Sequence, residues 1–454
     1  MNPTSIVDQV FAEVGAVACD PSSARVYEHG WQSWSPTTTY LLRDPPYRPS
    51  GETTRVLCYR PDCSVPQGYF QGEGLLAVQE SAGGPVHVFA ARPGTDAVAS
   101  IRARVEDAAV VVASDGEVEY VADDGPGGMV GALGRWGDRF ADAVGVGAIR
   151  EAPTIWCSWY HYFTRVTEQD VLDNLDAIDE LELPVDVVQL DDGYEAEIGD
   201  WLELSGRFRS LRDLVARIRD RGRRAGIWTA PFLVGERSRL FAEHPEWLVE
   251  GASAGYNWRQ NLFALDHTHP GAAEYLQQVF SAFRELGVDF FKTDFLYAGA
   301  LAGGRHLDVP PVEAYRGGLR LIRDAIGADS YLLGCGAPIL PSVGLVDAMR
   351  VSADTGPEYE PTEGDLSQPS VRSAVLSGVG RAWQHGRFWV NDPDCLLARP
   401  QVERREDWAA HVERHGGLRG SSDGLRALDE WGLRTTRRLL AIVPPPRPFA
   451  LEQA

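Results

Sequence analysis

From about Thr154 onward, short apolar runs alternate with longer amphipathic stretches of helical period. That alternation is typical of βα units, which assemble into a parallel sheet covered by helices. The apolar runs predict eight strands, at residues 154–160, 185–191, 225–231, 262–266, 288–294, 331–335, 348–354 and 388–392. The stretches that separate and follow them predict helices at 167–181, 210–222, 237–243, 270–286, 311–327, 369–385, 401–414 and 422–440. Eight successive strands indicate an α/β fold built on a (β/α)8 TIM barrel of ordinary size.

The residues before the barrel follow a different pattern. Short alternating or apolar runs, among them 75–79, 86–90, 110–113 and 118–121, are separated by Gly, Pro and Asp. These runs predict a smaller N-terminal β-rich domain that resembles a β-sandwich. We therefore divide the chain into an N-terminal β-rich domain at 1–150, a barrel at 151–441 and a Pro-rich tail at 442–454. We expect the tail to be disordered.

Charge and composition restrict the partners. The net charge of −22 argues against nucleic acids and anionic membranes, and it favours a neutral substrate. No apolar run reaches the roughly 18 residues of a membrane span, and residues 1–8 do not have the pattern of a signal peptide. Six scattered cysteines are expected to be reduced thiols of a cytoplasmic protein. The sequence leaves homo-oligomer formation open.

The chain contains a single lysine, Lys292, two residues before Asp294 in an apolar segment. Alternation along a strand places these two side chains on the same face. Lys and Arg are not interchangeable where a compact ammonium must fit a tight polar site. Chance survival of one lysine in an Arg-biased composition is the alternative. The pairing with an aspartate at the end of an apolar run favours an active site.

Polar and aromatic residues gather at the ends of the predicted strands. They are Trp159, Asp191, Asp192, Trp228, Asp266, Lys292, Asp294, Cys335, Arg350, Asp354 and Asp392. In a barrel, the C-terminal strand ends form the catalytic face. Each residue alone has a structural alternative, since a strand-end Asp often caps the next helix, adjacent acids can shape a turn, and Trp or Cys can pack in a core. Their convergence on one rim indicates a catalytic site.

Metal and cofactor chemistry are less consistent with this rim. His161, His267 and His269 lie just past strand ends and are possible metal ligands. However, a lysine and an arginine share the site, and these cations would compete with a metal. No Gly-rich phosphate-binding loop opens a helix, which disfavours a nicotinamide mechanism. We therefore expect neither a metal nor a cofactor.

The remaining groups are acids, two cations and aromatic rings, which are the materials of sugar recognition. Carboxylates accept hydrogen bonds from hydroxyls, and Trp stacks on the apolar face of a pyranose. Glycoside hydrolysis usually needs two carboxyl groups. Asp294 is the candidate nucleophile, because Lys292 favours its ionised form. Asp354, which follows Arg350 across the barrel, is the candidate acid/base and needs a raised pKa.

Seven ordered motifs between about residues 150 and 440 closely resemble those of glycoside hydrolase family 36, the retaining α-galactosidases. The motifs are Trp156-Cys-Ser-Trp-Tyr-His-Tyr162, Gln189-Leu-Asp-Asp-Gly-Tyr-Glu195, Gly226-Ile-Trp-Thr-Ala-Pro-Phe232, Phe291-Lys-Thr-Asp-Phe-Leu-Tyr297, Gly334-Cys-Gly-Ala-Pro338, Arg350-Val-Ser-Ala-Asp354 and Asn391-Asp-Pro-Asp-Cys395. The segment Gly30-Trp-Gln-Ser-Trp-Ser-Pro36 is also similar to the family's N-terminal segment.

The resemblance implies double displacement through a covalent galactosyl-enzyme, with Asp294 as nucleophile and Asp354 as acid/base. It implies that Asp191 and Asp192 bind the 4-hydroxyl and the 6-hydroxyl of galactose, and that Lys292 binds ring hydroxyls. Trp159, Tyr160 and Trp228 would line the −1 subsite. Cys335 and Arg350 would lie near the 2-hydroxyl, where Cys335 favours a galactoside over an N-acetylgalactosaminide.

Two departures from the family pattern and several alternatives remain. The front domain is short, and only a Pro-rich tail follows the last predicted helix, so we expect no C-terminal β-domain. A galactosyl transferase of the raffinose-synthase type and an α-N-acetylgalactosaminidase would share these residues. A Schiff-base lyase using Lys292 is an alternative from another class, although Asp294 would keep the amine protonated. A non-catalytic sugar-binding protein is disfavoured because both predicted carboxyls are present.

Overall fold

The computed structural model describes residues 10–48, 56–60, 63–93 and 97–450. Its N-terminal region contains nine strands in two antiparallel sheets. They are β1 Ala12–Ala18, β2 Arg25–Glu28, β3 Thr38–Leu41, β4 Phe70–Glu73, β5 Leu75–Gln79, β6 Val86–Ala91, β7 Ser100–Glu106, β8 Ala109–Ser114 and β9 Val118–Asp123. The sheet orders are β1-β8-β7-β4 and β3-β2-β5-β6-β9. The predicted β-rich region is therefore confirmed.

Alternating side chains of β5 and β6 enter two different cores. Leu76, Val78 and Phe89 pack with Val110 and Val112 of the facing sheet. The intervening residues of the same strands, such as Leu75 and Val88, belong to the core that the region shares with the rest of the molecule. The period of two in a strand explains this division, because successive side chains point to opposite faces.

One helix of the N-terminal region was not predicted. Helix α1, Gly128–Val144, follows β9 and buries Trp136 and Phe140 in the core that the N-terminal region shares with the rest of the molecule. The indole of Trp136 donates a hydrogen bond to Glu119 in β9 at 2.9 Å. Six glycines from 125 to 137 argue against a helix when propensity alone is considered. Close packing explains one of them, since a Cβ at Gly137 would lie 2.7 Å from the Trp383 ring.

The following region contains a curled parallel sheet of eight strands. These are β10 Ile155–Cys157, β11 Val187–Leu190, β12 Arg224–Thr229, β16 Val288–Thr293, β17 Tyr331–Gly334, β18 Ala348–Arg350, β19 Val390–Asp392 and β20 Gly420–Ser421. The order is β19-β18-β17-β16-β12-β11-β10-β20. A parallel bridge between Leu396 and Ser421 connects the segment after β19 to β20, the opposite edge strand. The predicted α/β fold is thus confirmed, with seven of the eight strands anticipated.

The predicted fourth strand, at 262–266, is not part of the parallel sheet. The chain between β12 and β16 forms a separate antiparallel sheet of three strands. They are β13 Leu233–Gly235, β14 Leu248–Asn257 and β15 Gln260–Leu265. β12 pairs directly with β16. The last parallel strand is instead β20, which lies in a polar stretch that was expected to lead into helix 422–440. Two residues, Gly-Ser, are too few to give an apolar signal.

The helices follow the strands in the predicted order. They are α2 Trp159–Tyr162, α3 Glu168–Glu180, α4 Leu211–Asp220, α5 Arg239–Glu243, α6 Pro270–Leu286, α7 Pro311–Ile326, α8 Ile339–Ser342, α9 Val371–Gly380, α10 Arg405–His415 and α11 Glu430–Leu440. Short 3-10 turns occur at Phe163–Arg165, Pro245–Trp247, Leu296–Ala300, Thr362–Gly364, Ala382–Gln384 and Leu425–Ala427. None of the helices in the described ranges combines the length and the apolar character that crossing a bilayer requires.

Capping residues explain why several helices begin where they do. Thr167 and Asp170 form a reciprocal capping box at the start of α3. The side chains of Ser210 and Asp429 accept hydrogen bonds from first-turn backbone amides of α4 and α11. Each cap satisfies a backbone N–H that has no partner within its helix. The cap at Asp429 also explains why the predicted helix 422–440 begins only at Glu430.

The Pro-rich tail is ordered over residues 442–450, which contradicts the predicted disorder. The Phe449 ring stacks on His385 with 4.1 Å between centroids. The carbonyl oxygen of Ile442 accepts a hydrogen bond from Arg419 at 3.0 Å. Proline ends the helix, as expected, but the extended chain beyond it packs on the barrel. The last four residues of the tail, and the N-terminal segment 1–8 considered for a signal peptide, lie outside the described residues.

Candidate active site

The predicted site residues meet at the C-terminal ends of the parallel strands. Asp191 directly follows β11, Asp294 follows β16 and Cys335 follows β17. Arg350 is the last residue of β18, and Trp228 is the penultimate residue of β12. Because the strands are parallel, their C-terminal ends share one edge of the sheet. Residues far apart in the chain are thereby collected in one place.

The single lysine contacts the carboxylates that follow β11 and β16, the two strands on either side of β12. Lys292 Nζ donates to Asp191 Oδ2 at 2.8 Å and lies 4.0 Å from Asp294 Oδ2. Burial by itself would lower the pKa of Lys292, but attraction by Asp191 and Asp294 outweighs it and the pKa is raised. The ammonium is therefore charged. Gln189 donates a further hydrogen bond to Asp191 Oδ2 at 2.7 Å, which fixes the acceptor of the lysine.

Asp294 is held by two N–H donors besides the nearby ammonium. The indole of Trp228 donates to its Oδ2 at 3.0 Å, and the backbone N–H of Phe295 donates to its Oδ1 at 2.7 Å. Phe295 has φ 50° and ψ 32°, in the left-handed region that non-glycine residues rarely adopt. That conformation accompanies the bond from the Phe295 N–H to the preceding carboxylate. Strained backbone of this kind concentrates at functional sites.

Arg350 is the second charged centre of the site. Its guanidinium contacts Asp354 at 3.0 Å, Asp392 at 3.1 Å and Asp394 at 2.8 Å. The Arg350 side chain is 3% exposed, so these contacts are nearly free of solvent screening. Three carboxylates around one buried cation leave excess negative charge next to Asp354.

That excess charge changes the protonation of Asp354. Burial and repulsion by Asp394 raise the pKa of Asp354 to about 7, with a smaller contribution from Asp294, against the opposing attraction of Arg350. The Asp354 side chain remains 29% exposed, so its carboxyl is accessible from solvent. A carboxyl group that titrates near neutrality can both donate and accept a proton at physiological pH.

Asp294 and Asp354 belong to one electrostatic environment. Each of them influences the titration of Cys335, whose pKa is raised by burial and then by repulsion from Asp294. Asp294 also contributes to the raised pKa of Asp354. Cys335, which is 1% exposed, is therefore a neutral thiol on which both acids act electrostatically. In the chain, both acids come after the C-terminal end of a parallel strand, Asp294 after β16 and Asp354 after β18.

Asp192 forms a separate buried acidic pair. It accepts a hydrogen bond from the indole of Trp258 at 2.8 Å and is hydrogen-bonded to Glu195. Burial and the neighbouring Glu195 raise the pKa of Asp192. A hydrogen bond between two carboxyl groups requires a proton on one of them, so the pair holds a single negative charge. The Asp192–Glu195 pair can therefore both accept and donate hydrogen bonds.

The two aromatic residues after β10 take different positions. The Tyr160 hydroxyl donates to Asp394 Oδ2, which fixes this ring beside the Arg350 centre. Trp159 is half-buried and packs edge-on against Phe163, with 5.1 Å between ring centroids. A partly exposed indole at the mouth of the site offers a stacking surface for a sugar.

Four residues of this region were missed or not selected from the sequence. Asp394 contacts Arg350 and Tyr160 and has φ 93°, although only Asp392 of its motif had been placed at the rim. Glu195 and Trp258 complete the Asp192 corner, and Trp34 of the N-terminal region packs edge-on against Phe295. The string Asp-Pro-Asp after a strand end is a detectable signal for Asp394. Trp34 lies in the quoted segment Gly30–Pro36, but no local pattern places it or Trp258 beside the site, because their contacts are long-range.

The histidines considered as metal ligands have structural roles. His161 packs against Tyr162, His267 bonds to the carbonyl oxygen of Ala314, and His269 caps α6. Asp266, which follows β15 of the separate antiparallel sheet, accepts hydrogen bonds from Thr268. Across the ranges that the structure describes, three or more His, Cys, Asp or Glu side chains nowhere converge in a metal-binding arrangement.

Known proteins resemble parts of this chain. The family model for Melibiase matches residues 148–304. α-Galactosidase AgaA of Geobacillus stearothermophilus is 25% identical over 140 residues, which are 29% of this chain and 19% of that protein. α-Xylosidase XylQ of Lactiplantibacillus pentosus is 28% identical over 163 residues, 33% of this chain and 21% of the relative. The chain thus matches about a fifth of the length of these curated relatives.

A solved structure resembles nearly the whole chain. TtGalA, an α-galactosidase from Thermus thermophilus in complex with p-nitrophenyl α-D-galactopyranoside, superimposes with a TM-score of 0.79 at 27% identity. The superposition covers 96% of this chain and 92% of that one. The same Thermus protein in complex with stachyose gives a TM-score of 0.78 at 29% identity, over 92% and 90% of the two chains.

Proposed function

Because this chain belongs to glycoside hydrolase family 36, the family of α-galactosidases, we propose that it is an exo-acting, retaining α-galactosidase. Its substrates would be neutral oligosaccharides that end in an α-D-galactosyl residue. The stachyose complex of the similar Thermus protein supports an oligosaccharide substrate of this kind. The net charge of −22 also suits a neutral ligand.

The observation that carries this proposal is the contrast between the environments of two carboxyls in one site. Asp294 accepts two N–H hydrogen bonds and lies 4.0 Å from an ammonium, a setting that stabilises negative charge. Asp354 has a pKa of about 7 because of burial and of repulsion by Asp394. Retaining glycosidases need this division between an anionic nucleophile and a proton-donating acid.

In the first step, a carboxylate oxygen of Asp294 attacks the anomeric carbon from the β face, and the α-glycosidic bond breaks. Asp354 gives its proton to the departing glycosidic oxygen, which leaves as an alcohol. In the second step, Asp354 accepts a proton from water while the water oxygen attacks the anomeric carbon and releases Asp294. Two inversions give net retention. These steps use only protein side chains and water, so the proposed reaction needs no metal and no cofactor.

The surrounding groups suit a galactosyl residue. Asp191 and Asp192 are adjacent acceptors for the 4-hydroxyl and the 6-hydroxyl, and Lys292 can donate to ring hydroxyls beside Asp191. The thiol of Cys335 and the guanidinium of Arg350 would lie near the 2-hydroxyl. Rings that can line the subsite come from Trp159, Tyr160 and Trp228. Charge-assisted hydrogen bonds of this type are roughly twice as strong as those between neutral groups.

The retaining assignment predicts the configuration of the first product. When the protein hydrolyses p-nitrophenyl α-D-galactopyranoside, proton NMR should show α-galactose appearing before mutarotation forms the β anomer. Parallel reactions with the aryl α-N-acetylgalactosaminide and the aryl α-xyloside should be about a hundredfold slower, since each changes a hydroxyl contact and a loss of about 2.7 kcal/mol corresponds to that ratio. Initial formation of β-galactose, or preference for either other glycoside, would refute the assignment.

Two further expectations remain part of the proposal. A boundary near residue 150 would separate the N-terminal β-rich domain from the catalytic barrel, with the Pro-rich tail after residue 441. All six cysteines are buried free thiols, which fits a cytoplasmic location because a reducing compartment keeps thiols unpaired.

A further inference from the structure

A buried arginine connects the N-terminal region to the barrel without a carboxylate partner. Arg381 follows α9 and is fully buried, with 0% of its surface exposed. Within the described residues, no Asp or Glu pairs with its guanidinium. Burying a cation without a counter-ion is costly unless its N–H groups are hydrogen-bonded. The N–H groups of this buried guanidinium therefore need hydrogen-bond acceptors close by.

The guanidinium donates to five backbone carbonyl oxygens, with one Nη2 hydrogen shared between two acceptors. Four acceptors lie within residues 30–35 of the N-terminal region, and the fifth lies in the barrel. The bonds run from Nη1 to Ser33 at 2.7 Å and to Val351 at 2.9 Å, and from Nη2 to Gly30 at 3.3 Å, Gln32 at 2.8 Å and Ser35 at 3.1 Å. The segment 30–35 thus wraps around one side chain that lies about 350 positions later in the sequence.

The wrapped segment reaches the catalytic face. It carries Trp34, whose ring packs edge-on against Phe295 with 4.9 Å between centroids. Phe295 is the residue whose N–H binds Asp294. A Cβ on Gly336 would lie 2.8 Å from the Trp34 ring, so this ring also lies against the residue after Cys335. Trp34 is 8% exposed.

The fifth acceptor connects the same guanidinium to the acid/base. Val351 lies between Arg350 and Asp354, and its N–H donates to the carbonyl oxygen of Asp392 at 3.1 Å. The carbonyl oxygen of Arg381 itself accepts from Asn391, the residue before Asp392, at 3.0 Å. Arg381 therefore holds the backbone next to the Arg350 centre in two ways. Its guanidinium binds the carbonyl oxygen of Val351, and its own carbonyl oxygen binds the Asn391 side chain.

We propose that Arg381 is a positioning residue for catalysis, which holds the Gly30–Ser35 segment against the barrel and so fixes the surroundings of both catalytic carboxyls. Through Trp34 it restricts Phe295 and with it Asp294. Through Val351 it restricts the strand end that leads to Asp354. This role rests on the proposed galactosidase function, and it gives the N-terminal region a part in catalysis. A displacement of about 1 Å at a reacting group costs about a hundredfold in rate.

The test compares Arg381→Met, Arg381→Lys and the exposed control Arg372→Met, which lies in α9 and pairs only with Glu360. With p-nitrophenyl α-D-galactopyranoside, Arg381→Met should lower kcat about a hundredfold and change KM by less than about threefold, because positioning acts on the transition state. Arg381→Lys should recover part of kcat, since an ammonium can still donate three hydrogen bonds. The control should retain wild-type values.

Hydrogen exchange of the same proteins separates this role from general destabilisation. Amides of residues 30–35 should exchange faster in both Arg381 variants, while the core strand β16 stays protected. Unchanged kcat together with unchanged exchange in Arg381→Met would overturn the proposal. If Arg381→Met does not fold, Arg381→Lys decides, and wild-type kcat in that variant would also overturn it. If the wild-type protein cleaves no galactoside, the proposed function fails, whereas exchange at 30–35 still tests the anchoring.

Discussion

Asp294→Ala is expected to reduce hydrolysis of p-nitrophenyl α-D-galactopyranoside at least about a thousandfold, a loss of about 4 kcal/mol in transition-state stabilisation. The reason is that the variant lacks the proposed nucleophile. No other carboxylate of the site is held in its place by hydrogen bonds from Trp228 and from the backbone N–H of Phe295. Initial rates at saturating substrate, with far-UV circular dichroism to confirm folding, measure the effect.

Azide gives a sharper measurement on the same variant. In the space left by the Asp294 carboxylate, azide should attack the anomeric carbon from the β face and form β-galactosyl azide. The matched control is Asp289→Ala near the opposite end of β16, where the partly exposed carboxylate pairs with Arg224 at 3.0 Å. That control should keep wild-type activity. Retained activity in Asp294→Ala, or no rescue by azide, would contradict a nucleophilic Asp294.

Asp354→Ala is expected to have the second-largest effect, and its size should depend on the leaving group. General acid catalysis contributes about 10² to 10⁴-fold. Melibiose and raffinose, whose sugar alkoxides leave poorly, should lose the whole of this factor. Galactosylation by p-nitrophenyl α-D-galactopyranoside should lose much less, because nitrophenolate leaves without a proton. Glu358→Ala, an exposed residue of the same loop, is the control.

The pH dependence of the wild-type protein follows from the same group. Asp354 has a pKa of about 7, and only its protonated form can donate to the leaving oxygen. Therefore kcat/KM for melibiose should be highest below that pH and should fall as pH rises through about 7. In Asp354→Ala this decrease should disappear. A wild-type profile that stays flat from about pH 6 to about pH 9 would contradict the assignment of Asp354 as the acid.

The sequence predicted those parts of the fold that depend on local periodicity. The apolar run at 288–294 and the amphipathic stretch at 270–286 correspond closely to β16 and α6, because burial on one face repeats with the period of the element. β20 escaped detection since two polar residues form it, and their membership in the sheet depends on pairing with β10. The segment 262–266 has strand character but pairs in an antiparallel sheet, which no local pattern reveals.

The candidate site was predicted best where its residues stand at strand ends. Asp191, Lys292, Asp294 and Arg350 could be placed on one rim because parallel strands bring their C-termini together. Trp34 and Arg381 could not be, since their contacts join residues more than 250 positions apart. Glu195 was visible within a quoted motif, but its hydrogen bond to Asp192 depends on how the turn after β11 folds back.

The most direct test of the central claim is to identify the residue that carries the galactosyl group during turnover. Asp354→Ala should react quickly with 2,4-dinitrophenyl α-D-galactopyranoside and then stall, because it lacks the base that activates water. After an acid quench, intact mass spectrometry should show one added galactosyl unit, and peptide mapping should place it on Asp294. An adduct on Lys292 or another residue, or a burst of dinitrophenol without any adduct, would contradict the two-carboxylate mechanism.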